Sequence, residues 1–138
     1  MKRLRQMATG ALCATAVILP LLGAGAAQAT NRANALTQLT LKNGWTNAPF
    51  GTSNAAVRNI NGVIHFKGAI ATGGTNAVPF TLPLAFRPAA ANVYVPVDLC
   101  NATNGRLHIQ HNGTVTVEAG TFSNAQCFTS LDGASFLP

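Results

Sequence analysis

Acidic side chains are the scarcest chemistry in this sequence, which has only three in 138 residues: Asp98, Glu118 and Asp132. Most glycoside hydrolases need two carboxylates at a set separation. Here Arg106 claims Glu118 as a cross-strand partner, and Asp132 precedes Gly133 as a turn residue does. Histidine is equally sparse, at three copies. His108 and His111 stand three apart, which on a strand means opposite faces, although the turn could bring His111 back; solvent-facing histidines are expected in preference to a zinc site with Asp98. Ser130, His65 and Asp98 can be written down as a triad, but the neighbours of Ser130 read as strand and not as a nucleophile elbow. Neither a phosphate-cradling loop nor a dinucleotide fingerprint occurs, so no cofactor is expected. A run of basic residues is also missing. Arg32, Lys42, Arg58, Lys67, Arg87 and Arg106 are scattered, which argues against a nucleic-acid surface. These absences together describe a chain that is not an enzyme.

What is present begins with an export signal. Lys2, Arg3 and Arg5 form a basic start, Ala8 to Gly25 is apolar, and Ala27-Gln28-Ala29 supplies a small-x-small cleavage site. A retained membrane anchor is the alternative. It is disfavoured because small residues dilute the apolar run and Pro20 interrupts it. Cleavage after Ala29 leaves residues 30–138 as one domain, secreted to the extracellular space and free of the membrane. The formal charge of +6 then falls by three, to a value that keeps a protein soluble without specifying a partner.

Cys100 and Cys127 are the two cysteines left after cleavage. An even pair in an exported chain predicts a disulfide, with two separate buried thiols as the alternative. Closing a loop of about 27 residues would contribute roughly 3–4 kcal/mol through the unfolded state.

The clearest local pattern is a hairpin over Gly105 to Glu118. Leu107 and Ile109 alternate with polar residues, and after His111-Asn112-Gly113 so do Val115 and Val117. A two-residue loop would set Ile109 against Thr116 and Leu107 against Glu118. A three-residue loop pairs Ile109 with Val115, Leu107 with Val117 and Arg106 with Glu118, with Gly113 at the left-handed position. A one-residue slip exchanges faces, so the three-residue loop is expected.

Elsewhere, Thr30 to Leu36 reads as a flexible arm, and Thr37 to Lys42 as a first strand. Residues 43–54 form a long polar loop in which Trp45 and Phe50 are the large side chains, expected to pin the loop to the core in preference to lining a ligand shelf. Val57–Ile60 and Val63–Ile70 flank a two-residue Asn61-Gly62 turn, with Val57 facing Phe66. Val78, Phe80 and Leu82 share a face of a strand that Pro79 and Pro83 confine to an edge. Val93 to Leu99 alternates strongly, and Phe122 to Phe136 reads as a closing strand that contains Cys127. About eight short strands at this spacing predict an all-β fold, a single antiparallel β-sandwich or jelly-roll-like domain.

Phe80-Thr81-Leu82-Pro83, Phe86-Arg87-Pro88, Asn112-Gly113-Thr114-Val115 and Ser130-Leu131-Asp132-Gly133-Ala134-Ser135-Phe136, in that order, resemble the C-terminal head domains of phage tail-fibre and baseplate proteins. Asn43-Gly44-Trp45 and the Val63–Ile70 strand fit the same pattern. The resemblance implies a compact β-sandwich, often a homotrimer, that binds surface glycans or joins parts of an assembly. No family binding residue transfers by position.

Two functions follow as expectations. One is a secreted binding module for a surface glycan or other extracellular ligand, with Trp45, His65, Tyr94 and His108 as contacts and Asn and Thr side chains to meet sugar hydroxyls. The other is a structural adaptor that meets a secreted protein partner by strand addition, as in a toxin particle or surface layer. A protease inhibitor fits the size, but lacks the dense disulfide bracing of small inhibitors.

Overall fold

The computed structural model describes residues 34–138; the expected export signal over 1–29 and the first part of the arm, 30–33, lie outside the described residues. Eleven strands follow one another: β1 (Thr37–Gln38), β2 (Trp45–Asn47), β3 (Ala56–Ile60), β4 (Val63–Lys67), β5 (Ala69–Thr72), β6 (Phe80–Thr81), β7 (Val93–Leu99), β8 (Thr103–Ile109), β9 (Thr114–Ala119), β10 (Thr129–Ser130) and β11 (Ser135–Phe136). They pair antiparallel into a four-stranded sheet, β1-β3-β4-β11, and a seven-stranded sheet, β2-β5-β10-β7-β8-β9-β6. The expected all-β sandwich is the fold observed. Among the described residues no helix is long and apolar enough to cross a membrane.

The core lies between the sheets because alternate residues of each strand point inward. Val57, Ile64 and Phe66 from one sheet meet Ile70, Leu107, Ile109, Val115 and Val117 from the other. Phe66 lies 6.2 Å from Phe80 and 6.0 Å from Phe136, so one aromatic group ties both sheets. Burying each such side chain contributes about 1.5–3 kcal/mol.

Both hairpins adopt the expected registers. Val57 pairs with Phe66 and Arg58 with His65 across Asn61-Gly62. Ile109 pairs with Val115, Leu107 with Val117 and Arg106 with Glu118. In the second turn Gly113 N–H donates to Gln110 O at 2.8 Å, and Gly113 has φ +92°. A Cβ there would also stand 2.4 Å from Arg87 Nε, whose N–H donates to Leu82 O at 2.8 Å. The expected edge strand is likewise at an edge: among the described residues β6 pairs only with β9. Pro96 sits inside β7 without disrupting it, since on the side away from β8 that strand is paired only at Leu99, to Thr129.

Four details differ from the sequence expectation. Phe122–Cys127 is a helix, α1, and not part of a closing strand. Six residues make fewer than two turns, too few for a 3.6 period to stand out, and no β-branched residue opposes the helix. After it, β10 joins the seven-stranded sheet and β11 the four-stranded one, so the expected closing strand is divided between layers. The loop over 43–54 contains β2, which pairs Trp45 with Thr72. The first strand is confined to Thr37–Gln38, although Leu39 beyond it is still buried.

The fourth difference is at Gly68, where the single strand read over Val63–Ile70 breaks and the chain passes from one sheet to the other. Gly68 has φ +92°, and a Cβ would lie 2.3 Å from Asn54 O and 2.4 Å from Ser53 O. Its N–H donates to Asp132 Oδ1 at 2.9 Å. The disulfide expected between Cys100 and Cys127 is formed, with Cα atoms 5.8 Å apart, and fastens α1 to the turn after β7.

These contacts separate two glycines of similar φ. Gly62 has φ +88° and open space around its missing Cβ. Gly62→Ala is expected to cost about 1–2 kcal/mol, the left-handed penalty alone. Gly68→Ala adds a backbone collision and is expected to cost at least about 3 kcal/mol. Urea unfolding of both variants checks this, and equal losses would contradict the role given to Gly68.

Candidate functional site

The β7-β8-β9 meander arranges its outward side chains in rows. Tyr94, His108 and Thr116 form one row, Pro96, Arg106 and Glu118 the next, and Asp98 with Asn104 a third. The alternate positions Val95, Leu107 and Val117 are buried, so hydrophobic burial is what turns these polar residues outward.

Within the rows the side chains support one another. The Tyr94 and His108 rings stack at 4.6 Å and 17°. The Arg106 guanidinium carbon lies 4.7 Å from the Tyr94 ring centre, and Arg106 Nε donates to Glu118 Oε2 at 2.6 Å. Glu118 Oε1 faces His108 Nδ1 at 3.3 Å. His108 Nε2 is enclosed and has no hydrogen-bond partner among the described residues. Tyr94 remains 51% exposed, which leaves half of a fixed aromatic side chain open to a ligand. Arg106 and Glu118 also line an open depression of about 460 Å³, together with Asn104, Gly105, Ala119 and Gly120.

The energies of these contacts are small. An exposed ion pair contributes about 0.2–1 kcal/mol and an exposed cation–π contact about 0.5–1 kcal/mol. The network therefore sets the position of Tyr94 more than it stabilises the fold. Its chemistry is that of a donor-and-acceptor surface with an aromatic anchor. Among the described residues no group of three or more His, Cys, Asp or Glu side chains is placed to hold a metal.

Of the four contact residues expected from sequence, the structure brings together Tyr94 and His108. His65 is on β4, paired with Arg58 and Ser135 in the four-stranded sheet, on the other side of the sandwich. Trp45 is buried; its Nε1–H donates to Asn76 O at 2.8 Å and its ring meets Phe122 edge-on at 6.4 Å. Its indole is occupied in pinning the 43–54 segment to the core. Sequence alone does not single out Asp98 and Asn104 as contacts. Pairing the Val93–Leu99 strand with the hairpin would have exposed them, because Tyr94 opposite His108 places Asp98 opposite Asn104.

Comparison with solved structures matches this architecture to the crystal structure of the receptor binding protein (gp15) of Listeria phage PSA. The TM-score is 0.58 at 16% identity, over 82% of this chain and 71% of that one. The fold resembles a phage receptor-binding protein. This agrees with the resemblance to phage head domains carried by the short motifs from Phe80 to Phe136. No family model matches the sequence, and no curated protein matches it.

Since both partners are partly exposed, Arg106 and Glu118 should be weakly coupled. A double-mutant cycle with Arg106→Ala and Glu118→Ala is expected to give less than about 1 kcal/mol of coupling in chemical unfolding. A coupling of several kcal/mol would mean that the pair is buried in solution.

Proposed function

We propose that this chain is an exported, non-catalytic binding module, with its signal removed after Ala29, that recognises a surface glycan through the outer face of β7-β8-β9. The observation that carries the reading is the half-exposed Tyr94, held against His108 and against Arg106, which itself lines an open depression. Aromatic side chains offer area at low entropic cost, and the flanking Arg, Glu, Asn and Thr supply donors and acceptors for hydroxyls. Glu118 is engaged by both Arg106 and His108, which suits a positioning role better than proton transfer. The phage receptor-binding protein that shares the fold supports a binding role by analogy of architecture. Export and the disulfide fit an extracellular setting.

Strand donation to a protein partner is the weaker reading. The arm leads into Thr37–Gln38, which is already paired with β3 of its own chain.

A glycan array probed with the exported protein tests the proposal. Tyr94→Ala is expected to lower affinity for the retained glycan at least about tenfold, the scale of losing an aromatic anchor. His65→Ala, on the opposite side, is expected to leave affinity unchanged. Retention of no glycan, or loss with His65→Ala and not with Tyr94→Ala, would overturn it.

A further inference from the structure

All three carboxylates of the sequence lie along one path over the surface. A second depression, of about 390 Å³, is lined by Pro96, Asp98, Asn104, Asp132 and Gly133 among others. Asn104 lines the first depression as well, so the two flank the same residue. The register places Glu118 beside Arg106 and Asn104 beside Asp98, while Asp132 follows β10 and precedes β11. The path therefore crosses the strands, from β9 over β8 and β7 to the turn before β11.

Several groups on this path are free. Asp98 is exposed and has no hydrogen bond or ion pair among the described residues, and the Asn104 side chain has none either. Asp132 uses only Oδ1, which accepts from Gly68 N–H at 2.9 Å and lies 3.9 Å from Lys67 Nζ. A carboxylate only accepts hydrogen bonds, whereas an amide both donates and accepts. The Asp98–Asn104 couple thus matches adjacent hydroxyls, each of which can donate and accept. Arg106 with Glu118 repeats that donor–acceptor combination one row further along the strand.

Charge selects among such ligands. The path gathers Asp98, Glu118 and Asp132 against Arg106 and Lys67, on a chain whose other charged residues are basic. A polyanion would meet Asp98 without a compensating cation, and Glu118 and Asp132 offset only by Arg106 and Lys67; like charges in contact disfavour the wrong partner. A neutral polyol meets acceptors without that cost.

We infer that the recognition face continues across β7 as a transverse groove, with Asp98, Asn104 and Asp132 as additional contacts, and that it takes an extended neutral glycan while rejecting polyanionic polymers. This rests on the glycan reading above.

The test uses fluorescently labelled neutral hexose and N-acetylhexosamine ladders, from monosaccharide upward, beside a polyuronate and a polyglycerol phosphate. The wild-type protein is expected to bind a neutral ladder with affinity that rises with chain length, and neither polyanion. Asp98→Ala is expected to remove roughly tenfold of affinity from the long oligomers and none from the shortest that bind. The Asp98 side chain makes no hydrogen bond or ion pair among the described residues, and Asp132→Asn, with its amide oxygen still able to accept from Gly68, provides a second variant. Binding of a neutral ladder with the same length dependence in wild type and both variants overturns the groove but not the glycan reading, as does retention of a polyanion. Retention of no saccharide of either class overturns the glycan reading and the groove together.

Discussion

The β7-β8-β9 register is the constraint on which the rest of this structure depends. Four apolar side chains of one hairpin, Leu107, Ile109, Val115 and Val117, can all be buried only if the loop between them has three residues. That loop needs a left-handed residue at its end, and Gly113 provides it where Arg87 leaves no room for a Cβ. With this parity set, Arg106, His108, Thr116 and Glu118 must face outward. The site is thus a by-product of core formation: a shift of one residue would bury the charges and expose the valines, at a cost of several buried side chains of about 1.5–3 kcal/mol each.

The second sheet closes over this meander by two devices that act at a distance from it. At Gly68 the chain leaves one sheet for the other, with Asp132 accepting its N–H, so the turn before β11 is fixed to the β4–β5 crossing. The Cys100–Cys127 bridge holds α1 to the end of β7. Both devices touch segments that border the proposed recognition face, since Asp132 and the strand ending at Leu99 flank the second depression. Stability and the proposed recognition accordingly share residues at that border, and are separate at Tyr94.

Local alternation carried much of this into view. The two hairpins, their loop lengths, the Pro-bounded edge strand and the cysteine pair were legible because each is decided by period, turn chemistry or composition within a short window. What escaped was decided by contacts between distant segments. The six-residue helix α1 has too few residues to show a period, and the three-residue β2 is a strand only because Thr72 accepts it as a neighbour. The break at Gly68 was visible as a glycine, but the switch of sheets depends on Asn54, 14 positions earlier, crowding its backbone. The candidate site was half legible. Tyr94 and His108 could be chosen for their chemistry, but the pairing of β7 with β8 that sets them together, and adds Asp98 and Asn104, is not written in either strand alone. Trp45 carried the same aromatic signal and proved to be core, because its strand brings it under Phe122.

Recognition is proposed for one outward face of a sandwich with two. Amide chemical-shift mapping of isotope-labelled protein, titrated with a glycan that it retains, tests that assignment most directly. The largest shifts are predicted at Tyr94 to Asp98, Asn104 to His108 and Thr116 to Glu118, with the four-stranded sheet unmoved. Shifts centred instead on Arg58, His65 and the rest of the β3–β4 hairpin would contradict it.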